Sequence, residues 1–88
     1  MGTELIPIYD SRKSFYSKAI TMKDNGKITL ISYNTEVSYI EDGKAFVLGV
    51  WSTTTSRHIK EFLKQNGFKA DDKKQILKDY LKERWNKK

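Results

Sequence analysis

The chain has 88 residues, room for one domain and one hydrophobic core, because a chain this short buries only about 60 to 65 % of the surface its unfolded form exposes. It is 38 % hydrophobic and 12 % aromatic with no cysteine, which excludes a disordered chain, disulfide staples, thiolate metal sites and thiol catalysis, and fits a reducing compartment. The formal net charge of +6 lies wholly in the C-terminal part: residues 1–52 carry six basic and six acidic side chains, residues 53–88 eleven basic and five acidic, the pattern of a surface drawn to a polyanion or of a merely soluble lysine-rich helix.

The start, Met1-Gly2-Thr3-Glu4, has neither the basic end nor the apolar core of a signal peptide, and no apolar run approaches the ~20 residues of a membrane span. A cytoplasmic location without membrane contact is the expectation. From Ser14 to Trp51 the chain is rich in β-branched and aromatic residues and is broken at Asn25-Gly26 and Asp42-Gly43, pairs that favour two-residue hairpin turns because both central residues need positive φ. Three runs follow, at about Phe15–Lys23, Ile28–Ile40 and Ala45–Trp51. The middle run is either one bent strand or two strands joined at Tyr33-Asn34-Thr35, where Asn tolerates a left-handed conformation. In the last run Phe46, Leu48 and Val50 alternate with Ala45, Val47, Gly49 and Trp51. A strand apolar on both faces is expected to be central, or covered by a helix on one side and by Leu5, Ile6, Ile8 and Tyr9 on the other. Gly49 suggests a bulge or a close backbone approach.

After Trp51 the apolar period changes from two to about 3.6. Thr54 or Thr55 is the expected N-cap of a first helix with Ile59, Phe62 and Leu63 on its apolar stripe, ended by Asn66-Gly67 with Phe68 placed for the capping contact. A second helix starts at Asp71 or Asp72, with Ile76, Leu77, Tyr80, Leu81 and Trp85 on one face and Lys73, Lys74, Lys78 and Lys82 on the other. The fold class read from this order is α+β: an antiparallel meander of three or four strands followed by two C-terminal helices, β-β-β(-β)-α-α. Residues 1–88 read as a single domain, with 71–88 as a basic amphipathic C-terminal helix.

Two stretches are candidates for binding chemistry. In Ser52-Thr53-Thr54-Thr55-Ser56-Arg57-His58, five hydroxyl residues precede a cation at a helix start; free N–H groups, the helix dipole, hydroxyl donors and Arg57 together suit a phosphate. The plainer reading is one capping hydroxyl in a polar connection. In Tyr9-Asp10-Ser11-Arg12-Lys13-Ser14-Phe15-Tyr16, two cations stand among three aromatics, as bases and phosphates would require, although aromatics beside a strand also serve as core. Spacings of three and four put Arg57, Lys60 and Lys64 on one side of the first helix. Catalysis is not expected: His58 is the only histidine, no oriented base and third group accompany it, no ligand cluster for a metal is present, and the glycines form no phosphate loop. No cofactor is implied.

The strings Tyr9–Tyr16, Ile31-Ser32-Tyr33-Asn34-Thr35-Glu36-Val37 and Thr54-Thr55-Ser56-Arg57-His58-Ile59-Lys60-Glu61-Phe62-Leu63 resemble a family of short uncharacterised proteins carried by phages, plasmids and genomes of Gram-positive bacteria. The resemblance covers about Ile8 to Gly67 and leaves the helix after Lys69 outside. It implies a mobile-element setting and brings no activity, cofactor or catalytic residue. Small proteins of such elements often occupy a surface of DNA or of a host enzyme that handles DNA, and anti-CRISPR and anti-restriction proteins are an analogy of class only.

The expected function is a non-enzymatic nucleic-acid-binding module for DNA or RNA. Its expected contacts are Arg12, Lys13, Thr54, Thr55, Ser56, Arg57, His58, Lys60, Lys64, Lys74, Lys78 and Lys82. The alternative is a phage-type inhibitor that binds a host nucleic-acid-handling protein; a weakly active hydrolase is the remainder.

Overall fold

The computed structural model describes residues 2–11, 13–15, 17–49 and 51–81. Five strands, β1 (Gly2–Glu4), β2 (Ala19–Asp24), β3 (Lys27–Ser32), β4 (Thr35–Glu41) and β5 (Lys44–Val47), precede two helices, α1 (Thr53–Gln65) and α2 (Lys73–Tyr80). The strands form one antiparallel meander in chain order. The fold is the expected α+β class with five strands where three or four were expected. The fifth comes from the N-terminal end, which pairs with β2, and the middle run divides at its Tyr33-Asn34 turn into β3 and β4.

All three tight turns between β2 and β5 have two residues of positive φ: Asn25 and Gly26 at 50° and 84°, Tyr33 and Asn34 at 50° and 67°, Asp42 and Gly43 at 54° and 74°. This is type I′ geometry, whose twist matches that of the flanking strands. The middle turn achieves it without glycine. An aromatic residue in the left-handed region costs about 1 to 2 kcal/mol, and two contacts hold Tyr33 there: its N–H donates to the Lys18 carbonyl at 2.9 Å, and its ring stacks on His58 at 5.7 Å between centroids.

Cross-strand partners share a face, so the register divides the sheet into two. Ala19, Leu30, Ser32, Ser38, Ile40, Ala45 and Val47 face the helices and are buried. A bulge in β4 sets Leu30 opposite Ser38 and Ile31 opposite Glu36, leaving Val37 as the extra residue, and Val37 and Ser38 are both buried. One core joins Leu5, Phe15, Leu30, Val37, Val47, Ile59, Phe62, Leu63 and Ile76. The other face holds Ile20, Met22, Ile31, Tyr39 and Phe46, which lie outside that cluster although Tyr39 is itself buried.

The last strand departs from expectation. β5 is an edge of the sheet rather than its centre. Ala45 and Val47 are buried toward the helices, whereas Phe46 stacks on Tyr39 at 4.9 Å on the open face. The N-terminal residues do not cover it: Leu5 joins the core on the helix side, and Ile6, Ile8 and Tyr9 are exposed. After α2 the chain meets the β5 edge, where Leu81 bridges Val47 in parallel. Gly49 follows the strand at φ 118°, with the Trp51 indole lying against it.

The N-cap of α1 is Ser52, not Thr54 or Thr55; its hydroxyl accepts the Thr55 N–H at 3.3 Å. Thr55 is turned inward instead and is buried. The helix ends as expected: Phe68 N–H donates to the Leu63 carbonyl and Gly67 N–H to that of Lys64, with Gly67 at φ 84°, a Schellman motif. Asp72 caps α2 through the Gln75 N–H, and Gln75 in return accepts from the Asp71 N–H. Ile76 is in the core, and Tyr80 meets Phe68 edge to face at 6.1 Å. The expected stripe of α2 therefore docks on the domain. Trp85 and Val50 lie outside the described residues.

Candidate functional site

On α1, residues spaced by three and four share a side, and the helix uses each side differently. Thr55, His58 and Phe62 turn into the sheet. Ser56 and Ile59 face α2, with which they share the wall of a small gap lined also by Ile76 and Leu77. Arg57, Glu61 and Gln65 face the segment after β1.

That segment is held by one carboxylate. Glu61 is 1 % exposed, although it stands among the cations of the helix. Its Oε2 accepts the Ile8 N–H at 2.6 Å, its Oε1 the Asp10 N–H at 2.9 Å, and both oxygens share the Tyr9 N–H at 3.0 and 3.1 Å. Gln65, one turn on, donates to Glu61 Oε2 at 2.6 Å and to the Ile6 carbonyl at 2.7 Å. Three successive backbone donors converging on a carboxylate satisfy a buried charge that would otherwise be costly. Asp10, positioned by this bond, pairs with Arg57 at 3.4 Å.

The clasp leaves a cleft of about 360 Å³ between arm and helix, lined by Tyr9, Asp10, Arg57, Lys60, Glu61 and Lys64. Tyr9 is 59 % exposed, and Lys64 Nζ sits 5.8 Å from its ring centre, within cation–π range. A second cavity of about 160 Å³ adjoins it, lined by Ser14, Lys18, Tyr33, Thr54, Arg57 and His58. Arg57 is common to both.

Beneath the smaller cavity lies a buried polar cluster. His58 Nδ1 and Ser32 Oγ are 2.8 Å apart, Ser32 Oγ and Thr55 Oγ1 3.3 Å apart, and the imidazole packs on Phe15 at 4.5 Å between ring centres. A serine hydroxyl at hydrogen-bond distance from an imidazole has the form of a nucleophile and its base. Ser32 is 2 % exposed, however, and is not among the residues lining the cavity. The pair joins α1 to β3 as a satisfied buried contact.

The expected site residues therefore separate. Arg57, Lys60 and Lys64 come together in the larger cleft, and Thr54, Arg57 and His58 in the smaller cavity. Thr55 is buried, and the Ser56 hydroxyl lies 3.5 Å from the Trp51 carbonyl on the α2 side. Lys13, Lys74 and Lys78 are exposed and line neither cavity. Arg12 and Lys82 lie outside the described residues.

The sequence reading missed Glu61, Gln65, Lys18 and Ser32. Glu61 and Gln65 at i and i+4 on a basic helix look like a solvated pair, and nothing local shows that a distant segment will bring its N–H groups to them. Among the described residues no group of three histidine, aspartate or glutamate side chains gathers as a metal would require, and no helix is long and apolar enough to cross a membrane.

Comparisons with curated proteins and with solved structures give no match. The model of a family of unknown function (DUF8033) matches residues 3–78, taking in most of β1, the whole clasp and most of α2, well beyond the Ile8–Gly67 stretch of the sequence resemblance. The chain belongs to that family.

Proposed function

We propose that this protein is a non-enzymatic nucleic-acid-binding module that takes single-stranded DNA or RNA along α1. The observation that carries the reading is the shared wall at Arg57: two adjoining cavities bring Lys18, Arg57, Lys60 and Lys64 together with two exposed tyrosines, Tyr9 and Tyr33. Cations near phosphates position a strand, and exposed rings stack unpaired bases, each stack worth about 1 to 3 kcal/mol. A duplex offers no free base faces to these tyrosines, so the preference is for single strands. The seclusion of Ser32 beneath the cavity floor supports a role in binding rather than catalysis. The test is fluorescence anisotropy with a labelled strand and its duplex over a salt series. The strand binds more tightly, with a log–log salt slope near about −3 for roughly four phosphate contacts at about −0.7 each. Absence of strand binding at low salt and micromolar protein rejects the reading.

A second reading is favoured by a different observation. The sheet face away from the helices carries Met22, which is exposed, and Ile20, Ile31 and Phe46, which are half-buried, with Tyr39 buried beside them, an apolar face suited to a protein partner. With the resemblance to mobile-element proteins, it supports a phage-type inhibitor, of the anti-CRISPR or anti-restriction class, of a host nucleic-acid-handling enzyme. An Ile31→Lys variant that abolishes inhibition of such an enzyme while strand binding persists selects this reading.

A further inference from the structure

The smaller cavity differs from the cleft beside it in size, charge and construction. At about 160 Å³ it falls below the roughly 300 to 1,000 Å³ of pockets that enclose whole small molecules. It suits a group rather than a nucleoside. Two cations, Lys18 and Arg57, and two hydroxyls, from Ser14 and Thr54, line it without any carboxylate among its described lining residues. The larger cleft, in contrast, carries Asp10 and Glu61.

Its walls are also fixed. Lys18 N–H donates to the Phe15 carbonyl and the Lys18 carbonyl accepts from Tyr33 N–H, both at 2.9 Å. Ser17 and Tyr33, on either side of this tie, hold left-handed φ of 64° and 50°. The His58 ring, 2 % exposed and anchored through Nδ1 at Ser32, backs the cavity with Tyr33 stacked beside it. These ties fix the backbone from which Lys18 and Tyr33 project and the ring that backs the cavity, while the Lys18 and Thr54 side chains reach it from exposed positions.

We propose that this cavity receives a phosphate monoester, the terminal phosphate of a nucleic-acid strand, with the adjacent base resting on Tyr33. The proposal rests on the nucleic-acid reading of the neighbouring cleft and adds an end preference to it. A monoester carries about 1.5 to 2 negative charges near neutral pH, against one for each internal phosphate, and so matches a cavity whose charged side chains are a lysine and an arginine. The forked guanidinium has donors beyond the one directed at Asp10, enough to hold two phosphate oxygens while keeping that pair. The rest of the strand then passes Arg57 into the cleft of Lys60, Lys64 and Tyr9.

Lys18 lines the small cavity and not the cleft, whereas Lys60 and Lys64 line the cleft and not the cavity, so the two can be separated. Anisotropy is measured for one short strand with a 5′-phosphate, a 3′-phosphate or hydroxyl ends. One phosphorylated form binds about tenfold more tightly than the hydroxyl form, the size expected for hydrogen bonds to a charged group. Lys18→Ala removes that preference, so that the phosphorylated and hydroxyl-ended strands then bind alike; Lys60→Ala weakens all three strands alike and keeps the preference. Equal binding of the three strands by the native protein overturns the cavity assignment and leaves the cleft reading standing. If no strand binds, the cleft reading fails, and backbone amide shifts on titration with adenosine monophosphate, compared with adenosine, decide the cavity alone. Monophosphate-specific shifts at Lys18 and Thr54–His58 then make it a mononucleotide site; their absence overturns it.

Discussion

The two sides of α1 hold their neighbours by different physics. On one side α2 adheres by area: Ile76 is buried and Leu77 and Tyr80 pack on the same core. On the other, the segment around Tyr9 leaves Ile8 70 % exposed and is tied through its backbone to Glu61 and Gln65. Apolar packing closes a surface against water, so the α2 side retains only a narrow gap. Directional bonds to one carboxylate fix a segment at a distance and leave open polar space beside it. The cationic cleft exists because the arm is clasped rather than packed.

Ile76→Ala tests the packed side and carries the largest expected effect, about 3 kcal/mol of unfolding free energy in urea, as for other buried Ile truncations. A loss below about 1 kcal/mol would mean that α2 contributes little to the core.

Glu61→Gln tests the clasped side. The amide is neutral and turns an NH₂ toward donors that need an acceptor, so about 2 kcal/mol is expected, the range for hydrogen bonds to a charged group. The accompanying sign is faster hydrogen exchange at Ile8, Tyr9 and Asp10 with α2 amides unaffected. Uniform acceleration across the chain would show that arm and core open together.

Ser52→Ala and Thr54→Ala sharpen the distinction between cap and site within one turn. Removing the Ser52 hydroxyl costs about 1 kcal/mol because it caps α1. Thr54→Ala, at an exposed position on the cavity rim, stays within about 0.5 kcal/mol. Equal losses in thermal or urea melts would place both hydroxyls in the cap.

Legibility in the sequence followed how local each determinant is. Asn25-Gly26 and Asp42-Gly43 announce their turns because glycine takes the positive φ that each requires. Tyr33-Asn34 makes the same turn without that signature, and the middle run stayed ambiguous for that reason. Ser52 caps α1 where Thr54 or Thr55 is expected, since in five consecutive hydroxyl residues only the first helical φ decides which one caps. The grouping of Arg57, Lys60 and Lys64 was legible because helical spacing alone dictates it. Lys18 was not, because nothing near it in the chain shows that it will stand beside α1.

By itself, then, the sequence determined what acts within about a turn or a hairpin: the α+β order, the strand alternation, the Schellman end of α1, an aspartate cap on α2 at Asp71 or Asp72 and the basic ridge of the first helix. Tertiary structure alone decided where the N-terminal end goes, that β5 lies at an edge, that Glu61 is buried and bonded 51 to 53 residues away, and that Arg57 stands between two cavities. These depend on contacts between segments far apart in the chain, whose pairing follows from the whole core closing at once rather than from any local preference.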